Sequence, residues 1–222
     1  MLYHQDVPKK VGGVSSIPPD PRKRNLLFST TDVASFAADY ARALTDGLAA
    51  VGSDHISGAL EAVRDTASRD GTIFIGGNGG SAALADHFSC DLTKGTNVPE
   101  RSAIRSYSLV ANTPLLMAIS NDFGYEHSLS AQLRMQARQQ DLAILISASG
   151  NSPNILAAAA VARELGLTTI GMTGFSGGSL AEAVDVLLHV PVNNYGVVED
   201  AHQALIHIIT QFLAAERDRL PT

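Results

Sequence analysis

The sequence predicts an α/β fold, a parallel sheet of five strands covered by helices on both faces. Three observations carry this. Short apolar runs alternate with segments of helical periodicity from residue 72 onward, the pattern of repeated strand–helix units. The first apolar run stops abruptly at Gly76-Gly77-Asn78-Gly79-Gly80, a strand-to-helix turn of the kind that offers backbone N–H groups to an anion. A chain of 222 residues that is 45% hydrophobic and 17% charged has enough apolar material for one full core.

Residues 1–30 combine several prolines and glycines with the basic triplet Arg22-Lys23-Arg24 and read as an extended or disordered leader. Residues 31–222 then form one domain. Thr31 or Asp32 is placed to cap a helix whose apolar stripe is Val33, Phe36, Ala37, Tyr40, Leu44, Leu48 and Val51. Gly52-Ser53-Asp54 breaks it, and a second helix follows with Ile56, Leu60, Val63 and Ala67 inward. Strands are expected at 72–76, 103–109, 141–147, 168–172 and 186–190. Helices are expected at about 80–92, 112–119, 125–138, 152–165 and 198–216. Parallel sheets built this way bind ligands beyond the carboxyl ends of their strands.

Composition narrows the function. A net charge of −6, 5% aromatic residues and the lack of tryptophan argue against a nucleic-acid binder. No apolar run is long enough to span a bilayer, and the first residues lack a signal-peptide core. Cys90, the single cysteine, cannot form an internal disulfide and reads as a small buried residue. A cytoplasmic protein is expected.

Three stretches carry chemistry. The glycine turn is neither a dinucleotide fingerprint nor a P-loop, since its glycines have other spacings and no Gly-Lys-Ser/Thr follows. Alone it is equally consistent with an empty tight turn. A second turn, Ser147-Ala148-Ser149-Gly150-Asn151-Ser152, ends another strand and supplies three hydroxyls at a helix start. Such a neutral, donor-rich cup holds a phosphate dianion without Lys or Arg. Two turns of this kind favour a phosphate ester as ligand. The third feature is a pair of ionisable stripes. His87 and Asp91 are four residues apart on the helix after the glycine turn, and Glu199, Gln203 and His207 recur every four on the last helix. A lone histidine on an apolar helix is usually a core residue; two carboxylate–histidine pairs favour an acid/base or metal site. The remaining histidines read as structural or exposed. On the last helix Leu205, Ile206, Ile208, Ile209, Phe212 and Leu213 read as core.

Taken together, GGNGGS…HFxxDL, NDFGYE, SxSGNS and the final ExxxxxxxH helix resemble the SIS (sugar isomerase) domain, and within it the phosphoheptose isomerases, over roughly residues 33–216. The resemblance implies a flavodoxin-like three-layer sandwich and a homotetramer with active sites shared between subunits. Its activity would be an aldose–ketose isomerisation of sedoheptulose 7-phosphate through a cis-enediol. It implies substrate contacts at Asn78, Gly79, Gly80, Ser81, Asp91, Asn121, Asp122, Ser147, Ala148 (by its backbone), Ser149, Ser152 and Glu199. Asp91 and His207 take the catalytic positions, and a zinc ion is implied at His87, Asp91, Glu199 and His207. Several positions depart from the family pattern: Asp91 stands where Glu is usual, Glu199 where Gln is usual and Ala148 where Thr is frequent, while the basic residue is displaced to Lys94. With Glu199 as a ligand, two carboxylates would neutralise a divalent ion in full. If Asp91 is bound to the metal, Glu199 becomes the candidate base. The same family pattern leaves two alternatives: a non-catalytic protein that binds a sugar phosphate or the replication initiator, and an isomerase of another sugar phosphate.

Overall fold

The structure, a computed structural model, describes residues 27–28, 30–99 and 101–219. The leader assigned to residues 1–30 therefore lies almost wholly outside the described residues. Asp32 is the cap of the first helix, α1 (Val33–Ala49); its carboxylate accepts from Ser35 N at 2.9 Å and from Ser35 Oγ at 2.7 Å. These bonds hold its carboxyl below the usual aspartate range. The chain breaks at Gly52 and continues as α2 (Ser53–Ser68).

The sheet is built from β1 (Thr72–Gly77), β2 (Arg105–Ser108), β3 (Leu142–Ser147), β4 (Thr168–Thr173) and β5 (Val186–His189). All four pairings are parallel, as the sequence predicts, and the order is β2-β1-β3-β4-β5. β3 begins one residue later than expected. The buried Asp141 spends its carboxylate on Thr72 N and Arg138 N, at 2.7 Å each, instead of joining the ladder.

Side-chain alternation divides the core in two. Ile73, Ile75, Ile144, Ile146, Ile170 and Met172 face one layer, filled by α2, by α3 (Gly80–Cys90) and by the long last helix. Phe74, Ala143 and Leu145 face the other, filled from α5 (Ser130–Gln136) and α6 (Pro153–Glu164), with Leu116 of α4 (Thr113–Phe123) at its margin. The last helix, α7 (Tyr195–Arg219), starts three residues before the expected 198 and packs against α1 as well as α3. The region expected as one helix over 125–138 is split into a 3₁₀ turn, Tyr125–His127, and α5. α3 runs into a π-helical turn, Asp91–Gly95, in which Thr96 N bonds to Asp91 O at 3.1 Å.

Three burial expectations fail. Cys90 is exposed, because α3 turns Asp86, His87 and Cys90 outward together. Ile208 and Phe212 are 40% and 50% exposed, on the side of α7 away from the sheet. Val33, at 80% exposure, and Phe36 begin the stripe of α1 beyond the reach of this chain's core. Among the described residues no helix is long and apolar enough to cross a membrane.

Candidate active site

The strand order reverses direction between β1 and β3, which is where a doubly wound sheet opens a crevice at its carboxyl edge. Both turns singled out from the sequence lie there. In the first, Gly79 has φ +57° and ψ −121°, a conformation closed to residues with a Cβ, and it leads directly into α3. A Cβ on Gly80 would come within 2.5 Å of the Glu199 carboxylate. That carboxylate thus lies against the first turn of α3, the end whose dipole favours negative charge. Asn78 exchanges two 2.8 Å bonds with Asn154 of α6 and accepts a third, at 2.7 Å, from Tyr125 Oη. The Asn78–Asn154 pair ties the two turns together.

The second turn keeps its hydroxyls close. Ser147 Oγ and Ser152 Oγ are 3.2 Å apart, and Ser149 Oγ accepts weakly from Asn151 N at 3.3 Å. Ser152 is the N-cap of α6 with Pro153 at the first helical position, yet its side chain makes no capping bond. Its hydroxyl and the free end of the helix are therefore available to a ligand. Ala148 is fixed through its carbonyl, which accepts from Gly174 N at 2.8 Å.

The ionisable residues converge on the outer side of α3 and α7. His87 Nε2 is 3.1 Å from Asp91 Oδ2 and 3.0 Å from His207 Nε2, and His207 Nε2 is 3.8 Å from the same Asp91 oxygen. Gln203 Nε2 lies 2.9 Å from His207 Nε2. Two imidazoles and a carboxylate lie with their donor atoms within 4.8 Å of one another, donors of the kind a divalent cation takes. The side chains of His87 and His207 are 46% and 45% exposed and that of Asp91 is 27% exposed, so one side of the cluster is open.

Glu199 stands outside this cluster. It precedes His207 by eight residues, about 12 Å along a helix, and its carboxylate lies against Gly80. Two positions on one helix face need not be near one ion. By the same rise, the glycine turn and His87 are separated by about 10 Å along α3. Asn121 and Asp122 occupy the exposed end of α4, with Asn121 Nδ2 donating to Asp122 Oδ1 at 2.9 Å. Ser81 is buried behind the first turn. His202, left as structural in the sequence, is fully buried; its Nε2–H donates to Thr173 O at 3.1 Å, and burial lowers its pKa to about 4. Gln203, which the sequence places on the polar stripe of the last helix, and Tyr125, within the NDFGYE stretch, are site neighbours to which the sequence reading gives no role of their own. For Gln203 the signal was present, since it precedes His207 by the same four residues that separate His87 from Asp91.

A cavity of about 380 Å³ opens beside the first turn, lined by Asn78, Ala83, Asp86, Tyr125 and Asn154 among others. A larger one, about 720 Å³, lies between α2 and the end of α7, around Arg64, Arg101 and Arg217, and is lined by none of the candidate site residues. Donor chemistry, not volume, locates the site.

Residues 37–174 match the SIS domain. The chain is 39% identical over 170 residues to the phosphoheptose isomerase of Mycobacterium tuberculosis, covering 77% of this chain and 82% of that protein. Among solved structures it is similar to a phosphoheptose isomerase from Neisseria gonorrhoeae, with a TM-score of 0.76 and 33% identity over 82% of this chain and 97% of that one. A phosphoheptose isomerase from Francisella tularensis superposes with the same TM-score of 0.76 at 26% identity, covering 82% of this chain and 96% of that one.

Proposed function

The chain belongs to the SIS domain family, on its phosphoheptose isomerase branch, and from that premise we propose that it converts sedoheptulose 7-phosphate to D-glycero-D-manno-heptose 7-phosphate. The observation that carries this reading for the residues themselves is the meeting of His87, Asp91 and His207 at one spot. The phosphate of such a substrate lies at the far end of the sugar from the reacting C1 and C2. A donor cup in one place and an acid/base cluster in another is the division of labour it requires.

In this reading Ser147, Ser149, Ser152 and the N–H groups that open α6 hold the phosphate, with the Ala148 backbone completing the turn. Gly79 and Gly80 let the chain of the first turn come close to the sugar, and Asn121 and Asp122 meet it from α4. Asp91 takes a proton from C1 while the C2 oxygen receives one from His207, giving a cis-enediol. C2 then takes a proton back, and the C1 hydroxyl returns one to His207 as the aldehyde forms. Atoms and charge balance over the cycle. His87, Asp91 and His207 fit a divalent ion, zinc being the one their nitrogens and oxygen suit best. When bound, it would act as a Lewis acid on the substrate carbonyl. Proton donation and ligation by His207 draw on the same nitrogen, so a chelator separates them.

We further propose a homotetramer in which a neighbouring subunit closes the open side of the cluster. The support is the half-exposure of both imidazoles beside the exposed Ile208 and Phe212. Proton transfer of this kind profits from the exclusion of water. Light scattering of the wild type and of Phe212→Glu tests the assembly: a tetramer is expected, and dissociation in the variant.

The activity is tested by incubating the protein with sedoheptulose 7-phosphate and following aldose formation and deuterium uptake from solvent, with and without a chelator. Turnover is expected; turnover that survives chelation assigns His207 as the acid, and turnover lost on chelation and restored by Zn²⁺ assigns it as a ligand. Absence of turnover, with sugar-phosphate binding unchanged in His207→Ala, would instead identify a binding protein.

A further inference from the structure

We propose that the cavity of about 720 Å³ between α2 and the end of α7 binds a nucleoside diphosphate, its diphosphate on Arg101, Arg217 and Arg219 and its base over Ile104 and Leu213. The volume is that of a small-molecule site. None of the residues that carry the sugar-phosphate reading lines it. Charge sets this cavity apart. The chain as a whole carries −6, yet four of its 16 basic residues, Arg64, Arg101, Arg217 and Arg219, line this one space with a single carboxylate, Glu216. Four guanidiniums less one carboxylate leave three positive charges, a local field opposite in sign to that of the whole chain.

The guanidiniums differ in what holds them. Arg64 is spent on Glu216, through bonds of 2.9, 2.8 and 2.7 Å that engage both carboxylate oxygens. Arg217 meets no carboxylate among the described residues. Its Nε donates to Thr96 O at 3.0 Å and its Nη2 to Ser102 O at 2.6 Å. Those carbonyls fix the planar fork and leave Nη1 for a ligand, a pre-organised donor that loses little freedom on binding. Burial, with the Arg101 charge nearby, lowers the Arg217 pKa, and an anion between the two would relieve their repulsion. Arg219 is exposed on the last turn of α7 and pairs with no carboxylate among the described residues. Guanidinium forks of this kind match phosphate oxygens two at a time. Ile104, Leu213 and Ala67 give the same cavity an apolar wall. A bare phosphate would leave that wall wet, whereas an ester with a flat ring covers it and offers a face on which a guanidinium stacks.

Isothermal titration of the full chain with ADP, in the presence of a chelator, tests the assignment. One ADP per chain is expected, with an affinity that falls as salt rises. Arg217→Gln should weaken ADP binding at least about tenfold, and Arg219→Gln, at the exposed rim, about threefold. Ser149→Ala, in the serine turn, should leave ADP affinity unchanged. Failure of the wild type to bind ADP at millimolar concentration overturns the proposal, as does wild-type affinity in Arg217→Gln. Loss of ADP binding in Ser149→Ala overturns it too, since the nucleotide would then lie in the phosphate cup. Inorganic pyrophosphate separates the anion from the nucleoside: it should bind at least about tenfold more weakly than ADP, and equal affinity would remove the base from the apolar wall. Arg217 also ties the 96–102 loop to α7, so circular dichroism checks the fold of its variant. Should Arg217→Gln misfold, Arg101→Gln decides, with a loss of at least about tenfold expected and wild-type affinity overturning the site.

Discussion

His202 and His207 lie five residues apart on one helix and live in different media. His202 is fully buried, donates one bond to the Thr173 carbonyl and leaves Nδ1 without a partner among the described residues. His207 is half-exposed and faces another imidazole, a carboxylate and an amide. Five residues turn a helix through roughly 500°, which places the two rings on different sides. The contrast teaches that residue type does not assign chemistry here; the helix face does.

The sharpest break between the two is functional. His207→Ala should lower turnover by about 10²–10⁴-fold while leaving the thermal midpoint nearly unchanged, because an exposed ring contributes little to the core. The same replacement at His202 should do the reverse: a stability loss of about 2–4 kcal/mol from the buried void, read by denaturant titration, with turnover kept by the molecules that remain folded. Equal effects on activity would erase the distinction.

Acid should separate them next. The folded protein keeps His202 neutral down to about pH 4, whereas in an unfolded chain the same ring takes up a proton below about 6.5. Its folded pKa is the lower one, so its contribution is fully present above about pH 6.5 and is lost as pH falls toward 4. The loss reaches at most about 3 kcal/mol. Unfolding free energies measured between pH 7 and 4 should fall on that slope in the wild type and flatten in His202→Phe.

The smallest effect concerns the start of α7. Tyr40 Oη donates to Asp200 Oδ2 at 2.6 Å, and burial, with the nearby carboxylate, raises the phenol's pKa. Tyr40→Phe should cost about 1 kcal/mol and alter turnover only slightly.

Most of the architecture was legible in the sequence because strands buried on both faces leave uninterrupted apolar runs such as Leu142–Ile146, bounded by glycine and serine turns. Asp32 announced its helix by its type and place. The site was legible as pairs, His87 with Asp91 and a polar stripe on the last helix, but not as a set. A stripe records direction around a helix axis and omits height along it, so Glu199 and His207 looked adjacent though two turns apart. Gln203, one turn from His207, stood in the stripe without a role of its own, because a neutral amide draws less notice than a charge. Exposure of Ile208, Phe212 and Val33 was illegible for another reason: an apolar residue left at the surface is written like one that fills a core.

The π turn after α3 has a consequence for how this chain tolerates a change of length. A ladder that closes over five residues instead of four carries one peptide unit more than an α-helix needs, just past the carboxylate. Deleting a single residue from Thr93–Gly95 would let the regular ladder run on. It would also pull Thr93 Oγ1 from Ser106 Oγ, now 2.8 Å away, and so detach the helix end from the sheet margin. In this segment the loss of one codon is a change of geometry, not of spacing alone.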